Sequence, residues 1–137
     1  MQRPSSFAGL RHVALFVERF EECEHFYVSL LGMQVEWRPD QNNVYLTSGC
    51  DNLALHRAPS PLETGSRQKL DHIGFVIDQQ SAVDEWFQYL KSNDVTILTE
   101  PRTHRDGARS FYCEDPDRTM VQMIWHPPIS GFTFGRS

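Results

Sequence analysis

The chain has 137 residues, 39% of them hydrophobic and 23% charged, with a formal net charge of -5. That length suits one compact domain, or two small half-domains sharing a core, with the composition of a water-soluble globular protein. The acidic balance argues against nucleic acid as a main partner, since duplex affinity comes largely from neutralising phosphates, and no stretch is long and apolar enough to cross a bilayer.

The N-terminal MQRPSSFAGL lacks the apolar run that secretion requires, so a cytoplasmic protein is expected. The first predicted element is an alternating strand over 10–18, beginning LRHVALFV. An amphipathic helix follows, with Phe20, Cys23, Phe26, Tyr27, Leu30 and Leu31 on one stripe and Gly32 as its stop. Strands are expected at 33–38, 43–48 and 52–58. The stretch RAPSPLETGSRQK then has the Pro, Gly and Ser content of a linker. A second strand–helix pair covers 70–78 and a helix built on Val83, Trp86, Phe87 and Leu90, with Ser81 and Asp84 spaced as a capping box. Strands at 94–99, 108–114 and 119–126 complete the series. The last two form a hairpin around the turn Asp115-Pro116-Asp117-Arg118.

The second series repeats the first. LRHVALFV and LDHIGFVI align at an offset of 60, placing His12 on His72 and Ala14 on Gly74. The same offset places Phe26 on Trp86, Leu30 on Leu90 and Val35 on Val95. A repeat this long is a duplicated supersecondary unit. The expectation is therefore an α+β fold of two βαβββ modules, at about 8–58 and 70–126, joined by a linker at 59–69 and followed by a tail at 127–137.

Strand alternation sorts the side chains. Val13, Leu15 and Val17, then Ile73, Phe75 and Ile77, belong on the helix-packed faces, with Leu53, Leu55, Val121 and Met123. The opposite faces carry His12, His56, His72 and Gln122 beside the small Ala14, Ala54 and Gly74, which leaves room for a ligand. For any one histidine a satisfied core role is the better reading; two at equivalent positions of a duplication favour function. Cys23, Cys50 and Cys113 match no zinc spacing and read as free thiols, and a nucleophilic Cys50 or Cys113 is the weaker reading. Arg102, Arg105 and Arg109 read as a solvated loop, with an anionic small ligand as the alternative.

LRHVALFV, FYVSLLGMQV, LDHIGFVI and FYCEDPDRTMVQMI together resemble the vicinal oxygen chelate superfamily, which includes glyoxalase I, methylmalonyl-CoA epimerase, fosfomycin- and bleomycin-resistance proteins and extradiol dioxygenases. The resemblance covers almost the whole chain. It implies curled sheets facing a cleft, with metal-ligand positions at His12, Ala54, His72 and Gln122. Ala54 cannot bind a metal, and Gln122 stands where most metal-dependent relatives place a glutamate. His56 is expected to compensate as a third imidazole, which would suit zinc, cobalt or nickel. Arg118 replaces the glycine usual in the DPDG turn, at a cost of about 1 kcal/mol if that position needs a positive φ.

Two functions stand open. One is a metal-dependent lyase, isomerase or dioxygenase acting on a small molecule with adjacent oxygens. Its divalent metal would be zinc, nickel, cobalt, manganese or iron, and His104 or Glu36 would be the base. The other is a metal-free binding protein of the bleomycin-resistance type, its cleft lined by Phe16, Trp37, Tyr45, Ala54, Arg109 and Phe111. A structural or regulatory homodimer with a vestigial cleft is the blander possibility. Family habit implies a homodimer in every case, with Phe132 and Phe134 of the tail packed on the partner or over the cleft.

Overall fold

The computed structural model describes residues 2, 10–61, 70, 72–127 and 130. Two four-stranded sheets carry the fold, one from each half of the chain. The first holds β1 (His12–Val17), β2 (Gln34–Asp40), β3 (Asn43–Thr47) and β4 (Asn52–Arg57) in the order β1-β4-β3-β2. The second holds β5 (Ile73–Val76), β6 (Arg102–Thr103), β7 (Arg109–Glu114) and β8 (Met120–Trp125) in the order β5-β8-β7-β6. In each sheet the first strand runs parallel to the last and the remaining pairs are antiparallel. The duplication read from the sequence is thus a duplication of topology.

Helix α1 (Phe20–Glu24) continues as a π-helical segment, His25–Leu30. It ends where Gly32 takes φ +84°, a left-handed turn that a side chain would strain. Helix α2 (Gln80–Ser92) begins after an extended Gln79 with no side-chain cap. The expected capping box does not form, because the Asp84 carboxylate is turned to Arg109 at 2.8 and 2.7 Å. The strand expected at 94–99 is also corrected. It is reduced to one bridge, Ile97 to Cys113, and the ladder resumes only as the two-residue β6.

The helix-facing side chains of both sheets enter one core. Leu15, Val17, Leu53 and Leu55 bury with Phe20, Cys23, Phe26 and Tyr27, and Ile77, Phe111, Val121 and Met123 with Val83, Phe87 and Leu90. The modules are joined by polar contacts as well. Tyr27 donates to Asp115 Oδ2 at 2.8 Å, and Asp117 Oδ1 accepts from the backbone N–H of Glu18 and Arg19 at 2.8 and 2.7 Å. Asp115 also accepts from the backbone of Asp117 and Thr119, which closes the hairpin turn. In that turn Arg118 does take φ +68°. Most of the linker and tail, with Phe132 and Phe134, lies outside the described residues, among which no helix is long and apolar enough to cross a membrane.

Candidate functional site

On the face of the first sheet turned away from the helix, three rows cross the strands. His12 pairs with Asn52, Ala14 with Ala54, and Phe16 with His56. His12 Nδ1 lies 2.7 Å from Asn52 Oδ1, and Asn52 Nδ2 donates to Glu36 Oε1 at 3.4 Å. A carboxylate only accepts, so Glu36 fixes which end of the amide it faces, and the remaining amide oxygen takes the Nδ1 proton of His12. His12 is left with an unshared pair on Nε2. An imidazole held through its other nitrogen in this way is the usual arrangement behind a metal-ligating histidine.

The second sheet presents an equivalent half. Gly74 pairs with Gln122, and Gln122 with Tyr112, whose ring meets His72 edge-on at 5.4 Å. Gln122 Nε2 donates to the buried Ser110 Oγ at 3.2 Å. Its Oε1 is turned toward Gly74, where an added Cβ would lie 3.8 Å away. Ser110 Oγ is also 3.0 Å from His104 Nε2. A cavity of about 150 Å³ lies between the two halves, its walls including Arg11, Val13, Asn52, Ile73, Gly74 and Phe75. Val13, Leu53, Ile73 and Phe75 in these walls belong to the helix-packed faces, and His12, His72 and Gln122 do not line this cavity. A wider groove of about 640 Å³ lies elsewhere, between α1 and the Asp115 turn, with a rim of mixed charge.

The sequence matches the Glyoxalase/Bleomycin resistance protein/Dioxygenase superfamily over residues 9–123. The chain belongs to that superfamily. Among its curated relatives, the metallothiol transferase FosB of Staphylococcus saprophyticus is 31% identical, over 80% of this chain and 71% of the relative. The Staphylococcus epidermidis protein of the same name is 29% identical, over 84% and 80%. A lactoylglutathione lyase from Agrobacterium tumefaciens shares the fold with a TM-score of 0.72 at 21% identity, covering 96% of this chain and all of that one. These comparisons establish the paired βαβββ architecture and a protein of the vicinal oxygen chelate superfamily.

Within this superfamily fold, several expected site residues occupy other positions. Phe111 is fully buried on the helix side, edge-on to Phe87 at 5.5 Å, and does not line the cleft. Arg109 is on that side too, bound to Asp84, which the guanidinium holds below the usual carboxylate range. His56 does not complete a three-imidazole site. It stands opposite Phe16, four residues along β1 from His12, which is about 13 Å of strand. His104 is engaged with Ser110, which meets Gln122, and Glu36 with Asn52, which meets His12. Phe16, Trp37 and Tyr45 share the sheet face turned away from the helix, with Ala54 fully covered beneath its neighbours.

Sequence reading missed Asn52, Asn43, Ser110 and Tyr112. Asn52 was within reach of it, lying two residues before Ala54 and therefore on the same face. Cys23 and Cys113 are buried; desolvation pushes the Cys113 thiol up to about 12 and the Cys23 thiol higher, so neither is a nucleophile. Cys50 is exposed.

Proposed function

We propose that this protein is a metal-dependent enzyme of the superfamily, acting on a small molecule with adjacent oxygens, with His12, His72 and Gln122 as its donor set. The observation that carries the reading is the setting of two of these donors: His12 is held through Asn52 and Glu36 with its other ring nitrogen unshared, and Gln122 is held by Ser110 with its oxygen beside Gly74. Among the described residues no three His, Cys, Asp or Glu side chains gather as a metal site. The proposed set is two imidazoles and an amide oxygen, donors that suit zinc, nickel or cobalt more than harder cations such as manganese.

A divalent cation bound there supplies Lewis-acid polarisation of the two substrate oxygens. The chain's own contribution is placement. Asn52 and Glu36 hold the His12 ring, and Ser110 holds the Gln122 amide with its oxygen toward the cleft. Gln122 is no general base, because an amide does not take up a proton near neutral pH. Proton transfer thus falls to another residue or to the substrate's own groups. A homodimer in the cytoplasm belongs to the same reading; the dimer is supported by exposed apolar side chains such as Val35 and Tyr89.

Calorimetric titration of the apo protein with zinc, nickel and manganese tests the assignment. Wild type should bind zinc and nickel, and His12→Ala should not. Equal binding by His12→Ala removes the metal and returns the cleft to metal-free sequestration.

A further inference from the structure

His56, which the metal set leaves out, has a setting of its own. Its Nδ1 lies 2.6 Å from Asn43 Oδ1, and Asn43 Nδ2 donates to both oxygens of Asp40 at 2.9 and 3.0 Å. As in the His12 relay, the carboxylate orients the amide, and the amide oxygen takes the imidazole Nδ1 proton. Nε2 is left with an unshared pair and no hydrogen-bond partner among the described residues.

Two rings flank this imidazole. Phe16 lies 5.8 Å from the imidazole and Tyr45 meets it edge-on at 5.9 Å, while Tyr45 itself stacks on Trp37 at 5.1 Å and 27°. Phe16 and Trp37 are 58% and 57% exposed, a large apolar surface on one sheet face. Between this row and the His12 row the strands carry only Ala14 and Ala54, so no side chain larger than a methyl rises from β1 or β4 there.

We propose that this face is a subsite for a planar ring of a small molecule. The ring lies against the Trp37–Tyr45 stack, and an O–H or N–H on its far edge donates to His56 Nε2. The proposal deepens the reading of the cleft, and rests on it only for which end of the ligand reaches His12. The aromatic surface supplies affinity for any flat ring. His56 supplies selection, because an acceptor held without its own proton disfavours a ring whose edge offers none.

The test uses the metal-free full-length chain and two probes, 4-methylphenol and 4-methylanisole, which differ in one O–H against one O–CH₃. Binding is read from the nuclear magnetic resonance shifts of the Trp37 indole. Wild type should bind the phenol about tenfold more tightly than the ether, the scale of one good hydrogen bond. His56→Phe should retain ring binding and bring the ratio to about one. Asn43→Leu should lower the ratio through a second route, with nitrogen shifts of His56 showing Nε2 partly protonated. Asn43→Leu also carries the test if His56→Phe fails to fold. Equal binding of the two probes by wild type, a ratio unchanged in the variants, or no response of Trp37 to either probe overturns the subsite. A failed zinc titration, in contrast, removes the metal assignment and leaves this result standing.

Discussion

Tyr27 donates a 2.8 Å hydrogen bond to Asp115, and both side chains are buried where the first module's helix meets the second module's hairpin. The bond satisfies a phenol that is fully inside the core and a carboxylate only 3% exposed. Tyr27→Phe leaves Oδ2 of that carboxylate without a donor, Oδ1 keeping those of Asp117 and Thr119, and should cost about 1.5–3 kcal/mol in denaturant unfolding. A loss below 0.5 kcal/mol would show that Asp115 is satisfied without it.

Burial raises the pKa of Asp115 above its ordinary 3.8, only partly offset by hydrogen bonds from Thr119, Tyr27 and Asp117. A group whose folded value is raised stabilises fully below the unfolded pKa and loses that contribution as pH rises through the folded value. Stability from this site should therefore fall as pH climbs above about 4. Asp115→Asn keeps an oxygen for the backbone donors of the turn and should flatten that segment of the stability–pH curve. An unaltered slope in the variant would place the dependence elsewhere.

Arg118 occupies a φ of +68° in the β7–β8 turn, and its side chain is 85% exposed, 3.9 Å from Glu114. That ion pair is long and solvated, so little is lost with it. Arg118→Gly should raise stability by about 0.5–1 kcal/mol, seen as a higher midpoint of thermal unfolding. A lower midpoint would show that the side chain contributes more than its contacts indicate.

Gln122→Glu restores an anionic ligand at unchanged side-chain length, and Ser110 can turn its hydroxyl to donate to the new carboxylate. Zinc affinity should rise at least tenfold by calorimetry. Asn52→Leu removes the group that orients His12 and should weaken zinc about 10–100-fold with the fold intact. If neither variant moves the titration, these side chains do not face a cation.

The three thiols differ in access. A chromogenic disulfide should modify Cys50 alone in the native protein and reach Cys23 and Cys113 only after unfolding. Rapid modification of a second thiol without denaturant contradicts the packing described for Cys23 and Cys113.

Much of this was legible in the sequence because strand side chains alternate strictly. Once Leu15 and Val17 are assigned to the core, His12 and Ala14 must face the other way, and the duplication carries the same inference to Gly74. The same logic, counted through the Asp115–Arg118 turn, pairs Glu114 with Met120 and Tyr112 with Gln122. It would have placed Phe111 on the helix side, so that error came from not carrying register across the hairpin. The relays behind His12 and His56 were not legible. They depend on residues of different strands meeting end to end, and alternation assigns faces without fixing how rows align. The capping box failed for a related reason: Arg109, distant in sequence, competes more strongly for the Asp84 carboxylate than an uncharged backbone N–H does.

The backbone N–H groups of Glu18 and Arg19 at the entrance to α1 find their acceptor in Asp117, 99 and 98 residues further along. During synthesis the first helix emerges long before that residue exists. The N-terminal half can collapse on the ribosome, but the start of its helix is completed only when the last hairpin arrives. Folding of the first unit is therefore chained to translation of the second, and a ribosome stalled after the linker would leave an intermediate with its helix entrance open and its core half covered.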